Sequence, residues 1–237
     1  MRVLVTRPMP DGERTAATLR GRGYDVLVAP LMQVKPIAAD LSGDWSAVII
    51  SSANAIRALD ARQIASLAKL SLFAVGQRSA DAARDAGFRD VRSANGDAGD
   101  LIRLVAGSDV DQAATYLYLA GEDRAADMEG ELAKRGIKTR TLIVYKNITL
   151  DYPPELAEAL RNRKIDVALH FSRRSAENYM NGAKAAGLEQ MAWAPQHFCL
   201  SAQVAEPLRA AGVVGQITVA QEPNEAALLA LFPPPAP

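Results

Sequence analysis

The chain has 237 residues, room for one large domain or for two small α/β domains that each bury a core. Its 27 basic and 27 acidic residues cancel, which argues against a bulk electrostatic partner such as nucleic acid but leaves room for a local basic pocket. No apolar run reaches about 18 residues, so no membrane span is expected. A single cysteine, Cys199, cannot form an internal disulfide, which fits a reducing cytoplasm, and it reads as a small buried hydrophobe.

Met1–Thr6 reads as a strand start rather than a signal peptide, because no extended apolar stretch follows it. Residues around Thr15 and Leu19 suit a helix that ends near Gly21 or Gly23, where glycine can take the left-handed cap. Strands are expected at Tyr24–Leu31 and Trp45–Ser51, then a helix from Ala55 capped by Ser52 or Asn54. Leu72–Val75 is a strand, Ser79–Ala86 a helix, Val91–Ala94 a strand and Leu101–Val105 a helix. The second half repeats this course. It has strands at Tyr116–Ala120, Thr139–Lys146, Asp166–Phe171, Phe198–Leu200 and Ile217–Ala220. Its helices are Ala125–Arg135, Ser175–Ala186, Val204–Ala211 and Glu225–Leu231. The proline tail, Pro233–Pro237, is expected to fray.

The two halves echo each other. Leu19-Arg20-Gly21-Arg22-Gly23 matches Leu132-Ala133-Lys134-Arg135-Gly136, and Ala80–Gly87 matches Ala205–Gly212, with spacings drifting from about 113 to about 125 residues. Strands apolar throughout and alternating with helices call for parallel sheets covered on both faces. Gln33–Ile37 and Lys146–Leu150 occupy equivalent places in the two halves and read as surface loops or as a pair of linkers.

Several chemistries are excluded. His170 and His197 are the only histidines, and no metal-ligand spacing is present. There is no nucleotide-binding glycine motif after a strand and no Ser/His/Asp arrangement at nucleophile-elbow spacing. Arg7-Pro8 follows the first strand where a receiver domain would carry an acidic pair.

Val3-Leu4-Val5-Thr6-Arg7-Pro8, Ile49-Ile50-Ser51-Ser52-Ala53-Asn54-Ala55, Phe73-Ala74-Val75-Gly76, Leu142-Ile143-Val144-Tyr145 and Leu169-His170-Phe171-Ser172 stand in an order and spacing that resembles the uroporphyrinogen-III synthase family. The resemblance runs through nearly the whole chain. It implies two doubly wound, flavodoxin-like parallel-sheet α/β domains, built from an internal duplication and joined by a two-stranded linker ladder, with a cleft between them. One domain would take residues 1–35 and 150–237, and the other, inserted, residues 38–146. The implied activity is that of a cyclising hydro-lyase of tetrapyrrole biosynthesis, acting on hydroxymethylbilane in the cytoplasm as a monomer. It implies no metal or organic cofactor, and no nucleic-acid or membrane partner. A non-catalytic two-domain sensor of an anionic ligand is the alternative.

The implied substrate is a linear polycarboxylate, so its binding groups are expected at strand-to-helix turns, where amides, hydroxyls and arginines collect. They are Arg7; Ser51, Ser52 and Asn54; Gly76, Gln77, Arg78 and Ser79; Gly121 and Arg124; Ser172, Arg173, Arg174 and Ser175; and Ser201 with Gln203. Each serine or asparagine among them could equally be a helix cap, and each arginine a solvated charge. Where the family often has glycine and then a threonine pair, this chain has Ser201-Ala202-Gln203-Val204, so Gln203 can bond a carboxylate and Val204 cannot. Tyr145 matches the tyrosine of the family's strand before the second linker, and it is the expected proton donor or orienting group for the departing hydroxyl.

Overall fold

A computed structural model describes residues 1–109, 111, 114–123 and 127–233. The chain divides into two compact units, one of Met1–Gln33 with Ile148–Pro237 and the other of Val34–Asn147.

The first unit contains β1 (Arg2–Val5), α1 (Asp11–Arg20) and β2 (Asp25–Val28) from the start of the chain. Strand β3 (Met32–Pro36) leads out of it. The second unit contains β4 (Trp45–Ile50), α2 (Ala53–Arg57), α3 (Ala61–Leu67), β5 (Ser71–Ala74), α4 (Gln77–Asp85), β6 (Val91–Ser93), α5 (Ala98–Ala106), β7 (Thr115–Gly121) and α6 (Met128–Ala133). Strand β8 (Thr139–Thr149) leads back. The first unit is then completed by α7 (Pro154–Arg161), β9 (Val167–His170), α8 (Arg173–Ala185), α9 (Glu189–Trp193), β10 (Gln196–Cys199), α10 (Ala202–Ala210), β11 (Ile217–Val219) and α11 (Glu225–Leu229).

The first unit's sheet has the order β11-β10-β9-β1-β2, all parallel. Its middle strands are buried on both faces, which is why Val3–Val5 and Val167–Leu169 are unbroken apolar runs. Strand alternation sends Leu4, Ala168 and Cys199 into one core with α7, α8, α9 and α10. Val3, Val5, Val167 and Leu169 meet α1 and α11 on the other side. Burying a side chain the size of Leu4 contributes roughly 1.5–3 kcal/mol. Cys199 is fully buried, and burial pushes its thiol up to about 12, so it is a packing residue.

The second unit's sheet has the order β3-β8-β7-β4-β5-β6. Pairs β8-β7, β7-β4, β4-β5 and β5-β6 are parallel. Val48, Ile50, Leu72, Leu117 and Leu119 face α2, α3 and α4. Ala47, Ile49, Phe73, Tyr116 and Tyr118 face α5 and α6. Strands β3 and β8 run antiparallel, with Ile37 N donating to Val144 O at 2.8 Å and Leu150 N to Leu31 O at 3.0 Å. The two mixed polar and apolar segments are therefore strand rather than loop.

The order β2-β1-β9-β10-β11 in one unit parallels β8-β7-β4-β5-β6 in the other. Each unit thus sets a strand pair from one half of the chain beside three strands from the other half. The echoing glycines also share a backbone conformation: Gly23 has φ +83° and Gly136 φ +77°, after α1 and α6 respectively. Gly21, the other expected cap, stays right-handed at φ −61°.

Three helices escaped the sequence reading. Helix α3 begins with a capping box in which Asp60 accepts from Gln63 N and the Gln63 side chain accepts from Asp60 N. Helix α7 starts with proline in its first turn, and α9 is a single short turn. The second strand is shorter than expected, stopping at Val28 before Ala29-Pro30. Residues Ala125 and Ala126 of the helix expected at Ala125–Arg135, and Pro234–Pro237 of the tail, lie outside the described residues. No helix among the described residues is long and apolar enough to cross a membrane.

Candidate active site

In the second unit β4 ends at Ile50, and the turn Ser51-Ser52 starts α2. Ser52 is the N-cap, its Oγ accepting from Asn54 N at 3.2 Å. Ser51 Oγ lies 2.8 Å from the hydroxyl of Tyr118 on the neighbouring strand. Asn54 Oδ1 accepts from Arg57 at 3.4 Å. On the next strand Gly76 caps α4 with extended backbone and no side-chain hydrogen bond, so its first amides are not covered by a cap. Ser79 is buried beneath this turn, its N donating to Gly76 O at 3.1 Å. Gln77 and Arg78 are exposed, and Gln77 Nε2 donates to Asp81 at 2.7 Å.

Tyr145 pairs in register with Gly121 across a bulge between β7 and β8. Its ring lies directly over that glycine: a Cβ at position 121 would come within 2.6 Å of the Tyr145 ring carbon Cζ. The phenol's pKa is raised above its ordinary value, chiefly by burial. A hydrogen bond with Ser52 pulls it the other way, and nearby Tyr118 and Asp123 add to the rise. The Ser51-Ser52 turn at the carboxyl end of β4 therefore clusters with Tyr118 of β7 and Tyr145 of β8, on the next two strands of the sheet. Tyr118 was not among the expected site residues, because the run Tyr116–Ala120 reads simply as core. Arg124 lies outside the described residues.

In the first unit Ser172 caps α8 in a reciprocal box with Ser175, with Ser175 N donating to Ser172 Oγ at 3.1 Å and Ser172 N to Ser175 Oγ at 3.2 Å. Ser172→Ala is expected to lower the unfolding free energy by about 1 kcal/mol, measurable by urea denaturation. Ser201 caps α10, its Oγ accepting from Val204 N at 3.4 Å. Gln203 is exposed beside it, whereas Val204 is packed in the core. Arg173 bonds Glu177 at 2.9 Å and Glu206 at 3.1 Å. Arg174 is partly exposed.

Arg7 is placed differently from an exposed ligand-binding arginine. It is buried, donates to Thr15 at 3.0 Å, pairs with Glu225 at 3.1 Å and Asp11 at 3.6 Å, and lies 4.0 Å over the Phe171 ring. These contacts tie β1, α1, β9 and α11 together.

A cavity of about 590 Å³ opens at the opposite, amino-terminal end of β4, lined by Asp40, Asp44, Trp45, Arg62 and Gln63 among others. It is remote from the strand-end turns and contains none of the expected site residues. Ligands of parallel α/β sheets gather at the other end, so the turns carry the argument.

Comparison with known proteins agrees with this layout. The family model described as uroporphyrinogen-III synthase HemD matches residues 13–230. A comparison with curated proteins finds no match. Among solved structures, uroporphyrinogen-III synthetase from Helicobacter pylori superposes with a TM-score of 0.65 at 18% identity, covering 97% of this chain and 96% of that one. A mutant uroporphyrinogen III synthase from the extremely thermophilic bacterium Thermus thermophilus gives 0.55 at 19% identity, covering 98% and 97%. At these identities the structures speak to the fold, two α/β units with parallel sheets, and the family model speaks to membership. With that match extending over almost the whole length, the chain belongs to the uroporphyrinogen-III synthase family.

Proposed function

We propose that this chain closes hydroxymethylbilane into uroporphyrinogen III, inverting the last pyrrole and releasing water. The family match over residues 13–230 carries this reading. The terminal hydroxyl leaves as water with a proton from a donor, giving an azafulvene cation. The substituted carbon of the last ring attacks it to form a spiro centre. That centre fragments and recloses through the other carbon, and loss of a ring proton restores the pyrrole.

Tyr145 is the donor or orienting group in this reading, supported by its protonated, largely buried phenol beside Ser52. Substrate carboxylates are held by the turns at Ser51, Ser52 and Asn54, at Gly76–Ser79, at Ser172–Arg174 and at Ser201 with Gln203. Most of the rate comes from holding a flexible chain in one reactive shape. The reading extends to a monomer working in the cytoplasm on a small molecule. It also takes the chain as a duplicated half whose copies are split between two domains, supported by the matching strand orders.

The test is to supply freshly made hydroxymethylbilane and resolve the product isomers. Spontaneous closure proceeds without inversion to the type I ring, so a dominant type III product is expected. A mixture dominated by type I would overturn the assignment.

A further inference from the structure

We propose that Tyr118 is a positioning residue for this reaction: it fixes, from one face of the sheet, the Ser51-Ser52 turn that meets Tyr145 on the other. The inference rests on the cyclase reading above.

Alternation along a strand sends successive side chains to opposite faces. Ile49 and Tyr118 belong to one core, and Ile50, Leu119 and Tyr145 to the other. Ser51 continues the first set and Ser52 the second. The surroundings follow that division: Ser51 Oγ lies 2.8 Å from the Tyr118 hydroxyl, and Ser52 stands near the Tyr145 phenol, whose ring lies over Gly121. The turn thus bonds to a tyrosine on one side and adjoins a second on the other.

The hydroxyl of Tyr118 is not needed for packing. Its ring lies in an apolar core that already holds Phe73, and phenylalanine would fill the same space. Among the described residues the polar group it engages is Ser51. The ring is 4% exposed, so its hydroxyl is held in place at little further entropic cost. Ser51 is only partly buried and stands at the start of α2, where a shift would carry Ser52, the neighbour of the Tyr145 phenol, with it. Tyr118 acts through these residues rather than on the substrate.

The experiment compares wild type, Tyr118→Phe, Ser51→Ala and the double variant in turnover, product isomer ratio, melting temperature and amide exchange at Asn54 and Ala55. Tyr118→Phe is expected to lower kcat about three- to tenfold with KM nearly unchanged and to raise the type I share, while Ser51→Ala, which also removes a hydroxyl from a carboxylate-holding turn, should raise KM as well. The double variant should be no worse than Ser51→Ala, because Tyr118→Phe removes only the bond already lost there. Exchange at Asn54 and Ala55 should quicken while the fold melts normally. Unchanged kcat and isomer ratio, additive losses, or unchanged exchange would each overturn the proposal. Should Tyr118→Phe not fold, Ser51→Ala removes the same bond from its more exposed end and is read by amide exchange and product isomer ratio. A wild type that yields mainly type I product sinks the cyclase reading instead. The exchange arm then decides alone whether Tyr118 orders the turn.

Discussion

Replacing Tyr145 with Phe is expected to lower kcat on hydroxymethylbilane about a hundredfold or more, the usual range for a lost general acid. The unfolding free energy should move by no more than about 1 kcal/mol, since the ring remains and one hydrogen bond is lost. The charge state supports a donor's role. Burial, with Tyr118 and Asp123 nearby, raises the phenol above its ordinary value of 10.0, against the pull of Ser52. The group is therefore protonated across the neutral range and can give a proton or a hydrogen bond to a departing hydroxyl. Position matters as much as charge, and Gly121 sets it. An added Cβ there would meet the Tyr145 hydroxyl at 2.8 Å as well as its ring, so Gly121→Ala must displace the phenol and should reproduce much of the kinetic loss. Single-turnover rates alongside denaturant curves would check both variants. Normal turnover in Tyr145→Phe would remove the residue from the mechanism.

The parts of the fold that were readable are those whose environment is uniform. Val3–Val5, Ala47–Ile50 and Val167–Leu169 are buried on both faces, so they appear as apolar runs whatever their neighbours. Strand β3 sits at the edge of its sheet, where one side needs no partner. Its Lys35 and Pro36 are ordinary for such an edge, yet they make the segment look like a loop. The capping box at Asp60 was legible in principle, but α3 is short and mostly exposed, with little apolar periodicity to draw attention to it.

The site divides in the same way. Hydroxyls at strand-to-helix turns could be picked out by residue type, but Ser52, Ser172 and Ser201 all prove to cap helices, the other use of the same chemistry. Which groups face one another depends on register between distant strands. Tyr118 reads as core until β7 is laid beside β4, and Arg7 reads as a free cation until α11 brings Glu225 to it.

Acidification should destabilise the protein well above the pH at which its carboxylates protonate, because of a histidine pair in the first unit. His170 and His197 are both fully buried, stacked with centroids 5.2 Å apart, and His170 Nε2 lies 3.0 Å from His197 Nδ1. One ring must donate and the other accept, so the contact requires at least one neutral imidazole and is natural for two. Around the pair are Tyr179 of α8, edge-on to both rings with its hydroxyl given to Ala192 O, and Cys199, paired in register with His170. Among the described residues no carboxylate is hydrogen-bonded to either ring. Burial holds His170 well below its ordinary value, with the neighbouring His197 adding to the effect. Burial likewise pushes His197 down to about 4, although the carbonyls of Ala192 and Trp193 favour its cation.

The sign follows directly. Well above pH 6.5 both histidines are neutral in folded and unfolded chains alike, and neither affects the balance. Below it the unfolded chain takes up protons that the folded core refuses, so stability falls with pH. For His197 the loss levels off near pH 4. Linkage puts the loss between about pH 7 and about pH 5 at about 2 kcal/mol for His197, and His170 adds to it in the same direction. Carboxylates with lowered pKa values, such as Asp90 beside Arg92, give up their share only at lower pH, so this interval isolates the imidazoles. Urea unfolding at half-unit pH steps would measure the slope, and His197→Phe should roughly halve it by removing one of the two groups. A flat profile across that interval would mean that the folded core accepts protons as readily as the open chain does. The stacked pair would then have to be a charged contact compensated from within α8 or α9, rather than a neutral one.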